Sequence, residues 1–252
     1  GDPRRSNGYT RGRTFSLFAN VDLGYDDYLF LNLTGRNDWN SRLYNGYKDN
    51  YFYPSAGLSF IPTKAFDGLK SDKGLNYAKL SASIVRVGNT SIVSPYDINS
   101  IYSVTGGFPI GSLSSFSPNQ NPTDPLIKPE FMTTAEFGIN LGFLNDRITL
   151  DASYYSTKTT DLITRQSTSA GSGISSVLTN IGQMTTTGYE IDLGFTPVKV
   201  SDFNNLGLKW ENRLAYSHTK SIVDKVSESA KEVALQNFTG TGVGIFATEG
   251  EE

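Results

Sequence analysis

Three features of this sequence have residue types and spacing that could do chemistry. Glu190 and Asp192 stand two apart, so on a strand they would share one face, the arrangement in which paired carboxylates relay or share a proton. His218 is the only histidine and offers one imidazole as an acid or base. Gly240-Thr241-Gly242-Val243-Gly244 is a glycine-rich run of the kind that can approach a phosphate. Each has a plainer reading that prevails. The carboxylates read as water-facing charge offset by Lys209 or Arg213 on the following strand. A single histidine cannot build a His-rich metal site, and the glycine run lacks the lysine and the strand-turn-helix context of a phosphate loop, so it reads as a loop. The absence of cysteine removes thiol catalysis, disulfides and Cys-based metal sites together. Asn89-Thr90-Ser91 and Asn237-Phe238-Thr239 match glycosylation sequons, a tripeptide that also arises by chance. No catalytic residue, cofactor or metal is expected, and the chain does not read as an enzyme.

The elements that carry these residues announce themselves by period two. In Phe15-Ser16-Leu17-Phe18-Ala19-Asn20-Val21-Asp22-Leu23-Gly24-Tyr25 every odd position is apolar, the signature of a strand with one greasy and one wet side. The pattern predicts about eight strands in four hairpins, at 14–24, 28–37, 51–61, 77–87, 133–143, 147–158, 186–196 and 206–219. Tyr25-Asp26-Asp27-Tyr28 and Leu144-Asn145-Asp146-Arg147 read as tight turns. Pro54 must sit where no ladder donor is required. The polar faces carry full charges, among them Asp22, Glu136, Asp151, Glu190 and Glu211.

Composition agrees. The 252 residues hold 14 Tyr, 15 Phe and 25 Gly with a hydrophobic fraction of only 37%, which suits strands that bury one face. Nothing resembles a linker between two cores, so one continuous architecture is expected. No apolar run approaches the ~18 residues of a membrane helix. A net charge of −3, with positive charge gathered only at Arg4, Arg5, Arg11 and Arg13, argues against a nucleic-acid surface.

The connections are unequal. Those after the first, fifth and seventh strands read as short; those after the second (38–50), fourth (88–132) and sixth (159–185) are long and rich in Ser, Thr, Asn, Gly and Pro. The one after the third strand, 62–76, is intermediate. Short turns on one rim and long loops on the other describe a membrane barrel, as do strands of about ten residues. Alternating strands also describe a soluble sandwich, so on pattern alone both remain open.

Specific words narrow the choice. Tyr25-Asp26-Asp27-Tyr28-Leu29, Gly35-Arg36-Asn37-Asp38-Trp39-Asn40-Ser41-Arg42-Leu43, Tyr53-Pro54-Ser55-Ala56-Gly57-Leu58-Ser59-Phe60 and Leu80-Ser81-Ala82-Ser83-Ile84 are followed by Phe143-Leu144-Asn145-Asp146-Arg147, Thr160-Asp161-Leu162-Ile163 and Asn180-Ile181-Gly182-Gln183-Met184. Together and in this order they resemble SusC/RagA-like TonB-dependent outer-membrane transporters. The segment Asn121–Glu130 and the Asp38-Trp39 pair depart from the family pattern, both at loop edges.

The resemblance implies an all-β, antiparallel up-and-down transmembrane β-barrel, of which this chain is a segment of about eight strands from about 22. Residues 1–252 would be part of the barrel domain; the plug domain, TonB box and C-terminal strands are expected outside it, since the chain opens without a signal peptide and no strand is expected at its end. It also implies a place in the outer membrane of a Gram-negative bacterium, with long loops extracellular. The implied function is active import of a glycan (oligosaccharide) or peptide ligand, powered by the TonB–ExbB–ExbD complex and assisted by a SusD-like lipoprotein, in contact with outer-membrane lipid. A passive porin or a soluble surface β module for adhesion are the alternatives. Trp39, Tyr44, Tyr47, Tyr96, Tyr102 and Phe108, placed in the long loops, are the candidate ligand or partner contacts, because rings stack on sugars and cover apolar side chains.

Overall fold

The computed structural model describes residues 9–43, 50–99, 102–106, 114–198, 209–226, 232–237 and 244–251. In chain order its strands are β1 (Thr14–Tyr25), β2 (Leu29–Asn40), β3 (Asn50–Phe60), β4 (Leu75–Asn89), β5 (Tyr102–Gly106), β6 (Ser114–Pro118), β7 (Glu130–Phe143), β8 (Ile148–Thr160), β9 (Ile163–Ser167), β10 (Ser176–Asn180), β11 (Gln183–Val198), β12 (Trp210–Lys225), β13 (Glu232–Asn237) and β14 (Gly244–Thr248). Eight of them form one antiparallel sheet in the order β1-β2-β3-β4-β7-β8-β11-β12. These are the eight expected strands, each neighbour joined to the next as a meander requires. The other six pair as hairpins: β5 with β6, β9 with β10, and β13 with β14.

The turns follow from residue type. Asp26 and Asp27 both take positive φ, 46° and 54°, and Tyr28 N–H donates to Tyr25 O at 3.2 Å, closing a tight hairpin of the hand that matches strand twist. Leu144, Asn145 and Asp146 all lie in the left-handed region, and Arg147 N–H reaches Phe143 O at 3.0 Å. The intermediate connection holds a one-turn helix, Pro62–Ala65, opened by the proline that a first helical position favours. Its buried Thr63 hydroxyl accepts from the Ala78 N–H at 3.1 Å and so ties the helix to β4.

Several expectations need correction. β12 continues to Lys225 and β2 to Asn40, beyond the ends read from alternation. The connection after β11, read as short, runs from 199 to 209, and 199–208 of it lie outside the described residues. β14 stands near the end of the chain, where no strand was expected, and residues 240–243 of the glycine run lie outside the described residues while Gly244 opens β14. No helix among the described residues is long and apolar enough to cross a membrane.

Register assigns every strand residue to one of two faces. One row runs Tyr25, Leu29, Phe60, Leu80, Ile139, Ala152, Ile191, Tyr216 across all eight strands and is apolar throughout. The next row on the same face runs Leu23, Leu31, Leu58, Ala82, Phe137, Tyr154, Tyr189, His218 and turns amphipathic at its end. The row after that runs Val21, Leu33, Ala56, Ile84, Ala135, Ser156, Thr187, Lys220, apolar at one end and polar at the other. The edge of the apolar zone therefore cuts obliquely across the ladder. Strands tilted by about 40° raise a register row by roughly 3 Å per strand, so a row crosses most of a ~25 Å apolar band within eight strands.

Above this zone, on the rim of the long connections, lies a compact core of Leu43, Tyr51, Val93, Ile98, Ile127, Phe131, Ile163 and Leu178. It draws residues from the three long connections and the adjoining strand ends, so the long loops pack on one another.

Candidate functional site

The polar face of the sheet and the packed loops above it are the two surfaces that could meet a ligand. On the polar face Asn32 donates to Asp22 at 2.5 Å and to Asn20 at 2.9 Å, and Thr34 donates to Asn20 at 2.7 Å. Arg36 pairs with Asp38 at 2.6 Å, and Asn140 donates to Asp151 at 2.6 Å. Arg213 grips Asp192 with one nitrogen bonded to both carboxylate oxygens, at 2.7 and 2.6 Å. The expected pairing of the Glu190–Asp192 couple with β12 is thus met through Asp192, while Lys209 turns to Glu211 at 2.6 Å. Glu136 and Glu190 have no ion-pair partner among the described residues. They line a trough of about 650 Å³ together with Asp151, Asp192 and Arg213. A surface with carboxylates left unneutralised but hydrated suits contact with water or with cationic groups.

His218 lies on the opposite, apolar face, its ring 5.4 Å from that of Tyr189. That position removes it from the carboxylates of the trough. Among the described residues no cluster of three His, Asp or Glu side chains could hold a metal ion.

The packed loops are pinned by polar side chains acting on backbone. Asp124 receives the Leu126 N–H at 2.8 Å and the Thr179 hydroxyl at 2.9 Å, and its own N–H donates to Leu178 O at 2.8 Å. Asn180 accepts from Lys128 N–H and donates to Lys128 O and Asp161 O, all at 2.8 Å. Lys128 Nζ meets Asp161 at 2.8 Å. The buried Glu130 accepts from Ile163 N–H at 2.8 Å and from Asn89 at 3.1 Å. Sequence reasoning noticed Asn121–Glu130 only as a departure from a pattern. Its Asx-rich, proline-rich composition was the available signal for side chains that cap backbone groups.

The candidate aromatics divide. Trp39 stands on β2 rather than in a loop, on the face that carries Leu29, Leu31 and Leu33, with its ring 5.3 Å from Phe15. Two intervening residues of weak patterning, Gly35 and Asn37, hid that parity. Tyr96 is exposed and holds φ at 72°, a left-handed conformation uncommon for an aromatic, within a turn closed by Asp97 N–H to Ser94 O at 3.2 Å. Tyr102 opens β5 and is exposed, as are Val104 and Phe116; the pairing Tyr102–Pro118 and Val104–Phe116 puts all four on one hairpin face. Tyr44, Tyr47 and Phe108 lie outside the described residues.

Comparison with known proteins decides the family. The family described as "TonB dependent receptor-like, beta-barrel" matches residues 1–244. This chain belongs to the TonB-dependent receptor β-barrel family. TonB-dependent receptor P3 of Formosa agariphila is 28% identical over 221 residues, covering 84% of this chain and 20% of that protein. TonB-dependent receptor SusC of Bacteroides thetaiotaomicron is 27% identical over 200 residues, covering 77% and 20%. The chain therefore spans about a fifth of the curated relatives it matches. Among solved structures, the RagAB peptide importer in its open-open state superposes with a TM-score of 0.80 at 20% identity, over 95% of this chain and 24% of that one. The ferric enterobactin receptor PfeA gives 0.51 at 20% identity, over 85% and 30%. These likenesses establish the fold, and the SusC/RagA-like resemblance of the sequence words agrees with them. In this TonB-dependent receptor the eight-stranded sheet is a stretch of barrel wall that does not close on itself.

Proposed function

We propose that this receptor segment is the wall and part of the mouth of an outer-membrane active importer for a glycan or a peptide. The apolar face would meet lipid and the polar face a hydrated lumen, and residues 1–252 would be one part of the barrel domain. The plug and the TonB-contacting segment are assigned to the remainder of the protein, where the TonB–ExbB–ExbD complex would deliver energy. A SusD-like lipoprotein would cover the mouth, with the long loops extracellular. The observation that carries the reading is the oblique apolar edge on one face together with the charged opposite face, a pairing that a soluble sandwich has no reason to build.

Within the mouth, Tyr96 and Tyr102 are proposed as ligand or partner contacts, with Tyr44, Tyr47 and Phe108 in the same loops. The strained backbone at Tyr96, which holds an exposed ring outward, supports its choice. Trp39 is instead assigned, with Phe15, to the aromatic girdle at the lipid boundary, because of the face it occupies. The free carboxylates Glu136 and Glu190 are proposed to receive cationic groups of the element that fills the lumen. The reading is tested by uptake of labelled oligosaccharide and of labelled peptide in cells lacking either the TonB complex or the adjacent lipoprotein. Loss of uptake of one class is the expected result, and uptake unchanged by loss of TonB would refute active import.

A further inference from the structure

The apolar face carries one anomaly, a groove of about 730 Å³ whose walls include Val21, Leu33, Ala56 and Ile84 and whose upper end holds Arg86. Its origin is local. Pairing of β3 with β4 runs from Phe60–Leu80 to Ser55–Val85 and stops beside Pro54, which has no N–H to continue the ladder. Past that point the strands part, and the ring of Tyr53 packs on Gly88 so closely that a Cβ there would lie 2.5 Å from it. Arg86 is exposed, stacks its guanidinium 4.1 Å above the Phe131 ring and has no carboxylate partner among the described residues. Among the described residues that line the groove it is the only charged one. Register sets Arg86, Thr133 and Lys158 in one row on the same face, with about 5 Å between neighbours. An unpaired guanidinium, a hydroxyl and an ammonium in line at the upper edge of an apolar surface form a donor set for phosphate oxygens.

Resting on the reading that this face meets the bilayer, we propose that the groove binds an outer-leaflet lipid with a phosphate-bearing headgroup. An acyl chain lies along Val21, Leu33, Ala56 and Ile84, and the phosphate sits on Arg86, Thr133 and Lys158. The occupant follows from charge complementarity and from continuity with the lipid-facing surface. A neutral lipid would leave Arg86 unpaired at the edge of hydrocarbon, and a protein strand would find β3 and β4 already paired below Pro54.

The test uses the full-length receptor purified in mild detergent and examined by native mass spectrometry with bis-phosphorylated lipid A and, separately, its dephosphorylated form. The wild type should retain the phosphorylated lipid preferentially. The double variant R86Q/K158Q should lose about tenfold in its retention, the scale of a charge-assisted contact, while binding the dephosphorylated form unchanged. A56F, which fills the groove and leaves both cations in place, should weaken both lipids. Equal retention of phosphorylated lipid by wild type and R86Q/K158Q would overturn the proposal, as would unchanged retention by A56F, which decides alone if the double variant fails to assemble. Failure of the membrane reading would show separately, as wild-type receptor absent from the outer-membrane fraction before any lipid is added.

Discussion

The side-chain amide of Asn180 closes on both backbone groups of Lys128, accepting from its N–H and donating to its C=O at 2.8 Å each. An asparagine placed in this way does what a neighbouring strand would do, and it joins the entry of β7 to the end of β10. Replacing it with alanine removes these two bonds and the one to Asp161 O, a local cost of about 2 kcal/mol. N180A should therefore speed hydrogen exchange at the Lys128 amide roughly 30-fold while leaving β1 and β2 protected. Unchanged exchange at Lys128 would show that the loops are held by their apolar core alone.

Glu130 gives the second expectation. Its two oxygens serve different donors, the Ile163 N–H and the Asn89 amide, in a buried setting. Glutamine keeps one acceptor and presents an N–H₂ to a donor, so E130Q should lower stability by about 1–3 kcal/mol. Thermal unfolding in detergent would measure it, and the Ile163 or Asn89 contact that fails first would appear in exchange data.

How much of this was legible in the sequence depends on which side of the apolar edge a residue lies. The β1–β2 hairpin could be read because Leu17 to Leu33 alternate against Asn20, Asp22 and Asn32, and because Asp26-Asp27 suits positive φ. The upper part of β12 could not. There Lys220 stands on the apolar-face register, Ile222 and Val223 put an apolar side chain on each face, and the period-two signal fades although the ladder continues to Lys225. The same argument covers β5, β6, β9 and β10, five-residue strands in Ser- and Thr-rich segments whose alternation is too brief to register. The candidate site was legible as a region and not as contacts. Asp124, Glu130 and Asn180 act on backbone groups far away in sequence, and no local pattern marks such partners.

The two faces should answer the same substitution oppositely. Ile191 lies on the apolar face and Ser153 beside Glu190 on the polar one. I191K should cost about 2–4 kcal/mol in the apolar band and reduce the folded, heat-modifiable species in outer membranes. S153K should assemble normally, since it brings a cation to Glu136 and Glu190. Normal assembly of both variants would contradict the assignment of faces.

The Asp26–Asp27 turn gives a stability test that is independent of any ligand. Asp27 sits at φ 54°, where glycine costs nothing sterically and a β-branched residue costs about 1–2 kcal/mol. D27G should be neutral or slightly stabilising, and D27V should lower the melting temperature of the full-length receptor. The reverse order would mean that the Asp27 carboxylate, not its backbone, holds the turn.

The clamp between Asn180 and Lys128, together with the contacts of Asp124 to Thr179 and Leu178, makes segments 119–129 and 161–182 a single inheritable part. A chimera that transplants one of them from a relative would bring half of a lock without its key. Recombination that keeps these contacts therefore has to move both segments together.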